Sequence, residues 1–185
     1  MIDVNQMRKG TTFIEDNDLY KVLTYNHIKT ARGGGTIRVS VRNLRTGSTT
    51  EKTYNTGSRV QDIRLEAVEM DYLYEDGTFL TFMDNETYEQ PQINRDIFGD
   101  DVYYIKEDTR VKLLRYEGEI IDYELPINMD FEVVEAEAAV VGDRANSPTK
   151  HVTVDTGLKV QVPMFVNVGD TIRVKTEDGS YVTRV

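Results

Sequence analysis

Residues 36–44 alternate between apolar and polar side chains. The apolar positions are Ile37, Val39 and Val41, and the polar positions between them are Arg38, Ser40 and Arg42. A period of two residues is typical of a strand with one buried face. No stretch sustains the 3.6-residue apolar period of an amphipathic helix, and 11 Tyr, 6 Phe and many β-branched residues favour strands. The sequence therefore predicts an all-β protein.

Turn-forming residues divide the chain into three units, residues 1–64, 65–127 and 128–185. In each unit, short strand-like runs are separated by turn sequences such as Glu75-Asp76-Gly77 and Glu177-Asp178-Gly179. The spacing of strands and turns in the second and third units is typical of five-stranded OB barrels. We therefore expect three β-barrels in series.

Three segments are less regular. Residues 65–74 could form one or two helical turns, although their ending Tyr72-Leu73-Tyr74 favours a strand. Residues 94–108 are polar and acidic, which predicts a short helix or a long loop between two strands. Residues 142–150 are also polar and predict a long loop in the third unit.

Composition excludes several classes of site. The chain has no cysteine, and its two histidines, His27 and His151, are too few for most histidine-based metal sites. We expect no metal and no cofactor. A β-barrel enzyme would need a clustered nucleophile, base and oxyanion site, and the sequence indicates none, so we expect no enzyme. The absence of a signal-peptide pattern in MIDVNQMRKG and of any run of ~18 apolar residues predicts a cytoplasmic protein.

The formal net charge of −10 is unevenly distributed. Residues 1–64 hold 11 Lys/Arg and 6 Asp/Glu, a net charge of +5, whereas residues 65–127 hold 5 and 17, a net charge of −12. Residues 128–185 hold 6 and 9, a net charge of −3. A basic barrel can bind a phosphate backbone even within an acidic protein. The alternative is that these Lys and Arg side chains only solvate a small domain.

The most distinctive local sequence is residues 27–35, HIKTARGGG. It joins two predicted strands and places Lys29 and Arg32 at the tip of a hairpin. Gly33, Gly34 and Gly35 permit positive φ and leave room for another backbone to approach closely. An arginine in such a loop is suited to planar contacts with a phosphate or a base. The alternative is an ordinary flexible hairpin, because the spacing matches neither a Walker loop nor a dinucleotide fingerprint.

Several stretches resemble bacterial elongation factor P over essentially the full length of the chain. They are residues 43–47, 51–53, 72–74 and 82–90, Lys150, Thr156-Gly157, Val162-Pro163, Phe165, Gly169 and residues 179–184. This resemblance implies a KOW/SH3-like barrel followed by two OB barrels, in an L-shaped outline like that of tRNA. It also implies a monomeric elongation factor that binds the ribosome beside peptidyl-tRNA and relieves stalling at consecutive prolines.

The resemblance also implies roles for particular residues. Arg32 aligns with the family's loop-tip residue, which faces the acceptor end of peptidyl-tRNA and can be modified, for example by rhamnosylation through a modifying enzyme. Thr30-Ala31 stands where Pro-Gly is common in the family. A Thr-Ala-Arg-Gly run occurs in a paralogous branch, whereas the sequence NETYEQ of residues 85–90 favours the main branch.

The resemblance places further contacts in the third unit. It directs the loop 142–150 toward the mRNA and the E site, so Arg144, Asn146 and Ser147 are candidate contacts. A plain surface loop is the alternative. Tyr181 and Arg184 are candidate tRNA contacts, although Tyr181 could equally belong to the barrel core.

Two other functions are compatible with part of the pattern. One is an elongation-factor-P-like paralogue that prefers different stalling motifs. The other is an OB-type RNA-binding protein that acts away from the ribosome, against which the net charge of −12 on the second unit argues.

Overall fold

The computed structural model describes residues 1–138 and 148–185, which form three antiparallel-rich β-sheets. The prediction of an all-β protein is confirmed. The only helical segments in these two ranges are short 3-10 helices at Val4–Gln6, Arg95–Ile97 and Gly99–Tyr104. No helix among the described residues is long and apolar enough to span a membrane.

The first sheet has six strands. They are β1 (Ile2–Asp3), β2 (Thr12–Glu15), β3 (Asp18–Ile28), β4 (Thr36–Asn43), β5 (Thr49–Asn55) and β6 (Arg59–Asp62). Their order in the sheet is β1-β6-β2-β3-β4-β5. The two-residue turn from β2 to β3 has Asp16 at φ 51° and Asn17 at φ 67°. Positive φ at both positions is the geometry of a type I′ hairpin turn, which Asn and Asp tolerate better than most residues.

The core of the first sheet comes from its alternating strands. Ile37, Val39 and Val41 of β4 are fully buried, as the sequence period predicted. They pack with Phe13 and Val22 of the preceding strands. This core fixes the register of β3 against β4, because a shift of one residue would turn the apolar side chains of a strand outward.

The second and third sheets have five strands each. The second contains β7 (Glu66–Glu75), β8 (Phe79–Asp84), β9 (Gln92–Asn94), β10 (Arg110–Tyr116) and β11 (Glu119–Glu124). The third contains β12 (Asn128–Ala136), β13 (Thr149–Val154), β14 (Lys159–Pro163), β15 (Thr171–Lys175) and β16 (Tyr181–Arg184). The orders are β11-β10-β7-β8-β9 and β14-β13-β12-β15-β16. In both sheets the first strand therefore lies between the second and the fourth, so the two share one topology.

The sequence patterns do not predict four of these strands, β1, β6, β9 and β13. Residues 66–75 are a strand throughout, so the helical alternative for residues 65–74 is wrong. Residues 94–108 contain two of the 3-10 helices, in agreement with the prediction of a short helix or loop. The predicted loop at residues 142–150 overlaps β13 at Thr149 and Lys150, and residues 142–147 lie outside the described residues.

By its internal contacts the chain forms two compact units, Met1–Val68 with Leu113–Asp122, and Glu69–Lys112 with Tyr123–Val185. Within the first unit, the Lys21 ammonium donates a hydrogen bond of 2.6 Å to the carboxylate of Asp122. The Asp122 side chain is only 6 % exposed and that of Lys21 28 %. Leu19, Leu44 and Ile121 form an apolar cluster in the same unit. The Lys21–Asp122 ion pair therefore joins β3 to β11 largely away from water.

Within the second unit, the segment Gly99–Tyr104 is attached to the third sheet. Tyr104 is buried in the same apolar cluster as Phe131, and their ring centroids are 6.4 Å apart. The Thr156 hydroxyl donates a 2.5 Å hydrogen bond to the carbonyl of Tyr103. A Cβ on Gly179 would lie 2.9 Å from the Tyr104 hydroxyl oxygen, so glycine leaves the space that this tyrosine needs.

Removing the Lys21 ammonium should destabilise the first unit. We expect Lys21→Ala to lower the free energy of unfolding by roughly 2–4 kcal/mol, because Asp122 loses its charge partner while it stays buried. Lys112→Ala is the matched control, since Lys112 lies 3.5 Å from an exposed Glu124. Its loss should stay below about 1 kcal/mol. Denaturant titration of both variants measures the difference, and equal losses would contradict the importance of burial.

Candidate functional site: the Arg32 loop

The loop between β3 and β4 spans residues 29–35. The last pair of the β3–β4 ladder is Ile28 with Thr36, so seven residues connect the two strands. Residues 29–34 are exposed and Gly35 is half-buried. Arg32 lies in the bend formed by residues 31–33. The structure therefore presents the Arg32 side chain on an exposed hairpin loop, where the sequence predicted it.

Two sets of contacts hold the loop. On its first leg, the Thr30 hydroxyl oxygen lies 3.3 Å from the carbonyl oxygen of Gly33 and 3.2 Å from that of Gly34. On its second leg, the Thr56 backbone N–H donates a 2.9 Å hydrogen bond to the carbonyl of Gly35. The loop is thus tied both to itself and to the turn that follows β5.

The three glycines of the loop differ in whether, and why, the structure requires glycine at their position. Gly33 has φ 126°, a conformation that favours glycine. A Cβ on Gly35 would lie 2.8 Å from His27 Nε2 and 3.0 Å from Thr56 Cγ2, which is too close for an undisturbed fit. A Cβ on Gly34 would meet only the Thr56 hydroxyl oxygen, at 3.5 Å, an ordinary contact. The exposed His27 side chain thus lies close to the Gly35 backbone at the base of the loop.

The cations of the loop are available for binding. Within residues 1–138 and 148–185, neither Lys29 nor Arg32 forms a hydrogen bond or an ion pair with another side chain. Arg32 presents a planar guanidinium with five N–H donors, which suits carboxylate, phosphate or base edges. The loop can therefore offer two positive charges to an anionic partner.

Another cation of the first sheet, Lys52, is already paired. Lys52 contacts the carboxylate of Glu15, and its ammonium lies 4.4 Å from the centroid of the Tyr20 ring. The Tyr54 hydroxyl donates a 3.2 Å hydrogen bond to Glu15. Burial raises the pKa of Tyr54, and the negative charge of Glu15 raises it further, so this phenol stays neutral. The Lys52–Glu15 pair contributes nothing to the net charge of +5, so Lys52 adds no free positive charge to that of the loop cations.

The other predicted contacts lie outside this loop. Arg144, Asn146 and Ser147 lie outside the described residues. Tyr181 of β16 packs partly buried against the core of the third sheet. The Arg184 guanidinium stands 5.2 Å from the centroid of the exposed Phe165 ring and 3.6 Å from the carboxylate of Asp170. In the described part of the chain, no group of three or more His, Cys, Asp or Glu could hold a metal ion.

Sequence reasoning missed Thr56 as a partner of the loop. The sequence Thr56-Gly57-Ser58 is typical of a turn, but it carries no information about contacts to a residue 21 positions earlier. Phe165, the ring that Arg184 covers, is likewise a tertiary contact that spacing does not reveal.

Comparison with known protein families accounts for nearly the whole chain. Residues 3–60 match the model of the elongation factor P KOW-like domain, and residues 65–123 match that of the elongation factor P OB domain. Residues 129–184 match the model of the elongation factor P C-terminal domain. The chain belongs to the elongation factor P family. It is a translation factor in which a KOW-like barrel precedes two OB-type barrels, which confirms the expected barrel types and their order.

Solved structures of low sequence identity are similar to about two thirds of this elongation factor P family member. One is "Eukaryotic translation initiation factor 5A from Methanococcus jannaschii", with a TM-score of 0.50 and 19 % identity over 68 % of this chain and 90 % of that chain. Another is "Translation initiation factor eif-5a family protein from Naegleria fowleri ATCC 30863", with a TM-score of 0.44 and 13 % identity over 67 % of this chain and 96 % of that chain.

A side chain at position 35 should destabilise the protein more than one at position 34, because there is less space around Gly35 than around Gly34. Gly35→Ala should lower the free energy of unfolding by about 1 kcal/mol, because His27 and Thr56 must move to admit the methyl group. Gly34→Ala should be neutral or slightly stabilising, because it restricts the unfolded chain and meets no close contact. Denaturant titration of the two variants gives the comparison. If the Gly35→Ala protein is as stable as the Gly34→Ala protein, His27 and Thr56 leave enough space for a methyl group at position 35.

Proposed function

We propose that this protein binds the ribosome beside peptidyl-tRNA and stimulates peptide bond formation, relieving stalling at consecutive prolines. The observation that carries the proposal is the exposed Arg32 in the loop of residues 29–35 of the basic domain of an elongation factor P family member. Among the described residues, Arg32 has no side-chain partner. Ribosomal RNA and tRNA supply the phosphates and bases that such a loop suits.

The chemistry of bond formation belongs to the ribosome in this proposal. Proline's ring restricts the nascent chain and leaves its nucleophile or acceptor poorly placed. A factor that holds peptidyl-tRNA in reactive geometry lowers the entropic part of the barrier. Arg32 would make charge-assisted hydrogen bonds to the acceptor end of the tRNA, and Lys29 would add a second positive charge nearby.

The exposure of Arg32 also suits a covalent modification by a separate enzyme. Its neighbours Ala31, Gly33 and Gly34 are small and exposed, so an enzyme could reach the guanidinium. A rhamnosyl or other group would extend the reach of this side chain toward the tRNA. Intact mass spectrometry of the protein from its native host tests this proposal, and an unmodified mass would show that Arg32 acts as it stands.

A second candidate is a paralogue of elongation factor P with a different preference among stalling motifs. The Thr30-Ala31-Arg32-Gly33 run favours it. The two candidates share the loop and the ribosome, so they differ only in which nascent sequences depend on the factor. Ribosome profiling with and without the protein separates them, since dependence on consecutive prolines alone would exclude the second.

Replacing Arg32 should abolish function without affecting the fold. Arg32→Ala should keep the melting temperature and cosedimentation with 70S ribosomes but lose rescue of a Pro-Pro-Pro translation reporter. The side chain is exposed and forms no hydrogen bond or ion pair with the part of the chain that the structure describes, so the effect should fall on the reaction. Arg59→Ala changes another exposed arginine of the same sheet, outside the loop, and should retain most of the rescue. Full rescue by Arg32→Ala would overturn the role of this residue.

A further inference from the structure

We infer that Thr30 is a positioning residue, whose hydroxyl holds the loop in the conformation that presents Arg32. The inference rests on the proposed function, because it concerns how the same loop acts. Its basis is the placement of the Thr30 hydroxyl oxygen 3.3 Å from the carbonyl oxygen of Gly33 and 3.2 Å from that of Gly34.

The Thr30 hydroxyl bridges the bend that carries Arg32. A hydroxyl has a single O–H donor, so the two carbonyls share one proton in a bifurcated hydrogen bond. The bond runs from the residue two positions before Arg32 to the two residues that follow it. It therefore closes a small ring of backbone around Ala31 and Arg32, at the point where the loop has no strand partner.

The loop needs such a bond because the rest of its sequence allows many backbone conformations. Fixing the backbone of one residue costs about 1–2 kcal/mol of conformational entropy, and glycine costs more than other residues. Three of the seven loop residues are glycines. The second leg is tied to the barrel through Gly35 and Thr56, whereas the first leg has the Thr30 hydroxyl. Threonine is also stiff at χ1, which restricts where its hydroxyl can point.

The expected consequence is a loss of preorganisation. Without the hydroxyl, Arg32 would sample more orientations, and a smaller fraction of bound factors would meet the tRNA in productive geometry. Affinity for the ribosome, which depends on many contacts across the protein, should change little. A defect in rate at saturating factor, with an unchanged half-saturating concentration, is therefore the signature of a positioning residue.

Two variants separate the hydroxyl from the shape of the side chain. Thr30→Val keeps the branched shape and removes the donor, whereas Thr30→Ser keeps the donor and removes a methyl group. The full chain is tested in a reconstituted reaction that forms a Pro-Pro bond, with factor concentration varied. Thr30→Val should lower the saturating rate roughly 2- to 10-fold, the range that one net hydrogen bond represents. Thr30→Ser should stay close to wild type, and the half-saturating concentration should be the same for all three proteins.

Arg32→Ala in the same assay makes failures distinguishable. If Arg32→Ala slows the reaction and Thr30→Val does not, the inference about Thr30 is overturned while the proposed function stands. If Thr30→Ser is as slow as Thr30→Val, the hydroxyl is not what positions Arg32, and the inference about Thr30 is again overturned. If the wild-type protein does not accelerate the reaction, the proposed function fails. If it does and Arg32→Ala is fully active, the role of Arg32 is overturned and the inference about Thr30 fails with it.

A measurement on the free protein tests the hydrogen bond without reference to activity. Amide NMR signals of Gly33 and Gly34 should shift or broaden in Thr30→Val, while the signals of the sheet stay in place. Thr30→Ser should leave the glycine signals near their wild-type positions. Unchanged glycine signals in Thr30→Val would show that the hydroxyl does not order the loop.

Discussion

The pairing of β3 with β4 is the interaction on which the candidate site depends. The ladder runs from Tyr20 opposite Asn43 to Ile28 opposite Thr36. The apolar side chains of β4 are fully buried as far as Ile37, opposite His27, and set the register, whereas Ile28 in the next and last pair is exposed. Burial thus specifies the hairpin where it crosses the core, and the ladder then carries the chain out into solvent. The loop can differ from regular strand geometry there without disturbing the barrel.

Charge pairing decides which positive groups of the KOW-like domain remain available. Lys21 is committed to a buried carboxylate, and Lys52 to Glu15 beneath an aromatic ring. The Lys21–Asp122 pair removes one positive charge from the net +5 of residues 1–64, because Asp122 lies outside that segment. The Lys52–Glu15 pair leaves that net charge unchanged. Lys29 and Arg32 are different, since they extend from the barrel without an intramolecular partner in the described ranges. Binding of an anion at the loop therefore breaks no existing ion pair.

Local patterns in the sequence predicted the fold class and the loop but not every strand or contact. The alternation around Val39 identified β4, because all its inward side chains belong to one core. By contrast β6 has one buried residue, Val60, and β9 has one, Ile93, so neither shows a period. Such short strands exist because a neighbour pairs with them. The same limit applies to Gly35, whose need for glycine comes from His27 and Thr56.

The loop's internal bond has a consequence for how the site could be re-engineered. The Thr30 hydroxyl contacts the backbone carbonyls of Gly33 and Gly34, and Gly35 fits beside His27 and Thr56 because it has no side chain. Neither contact involves the side chain at position 32. The backbone conformation of the loop thus does not depend on the side chain at position 32, so lysine or a non-natural amino acid could replace Arg32 with the backbone unchanged. An inserted residue between positions 30 and 34 would instead move both carbonyls out of reach, making length the property this loop cannot vary.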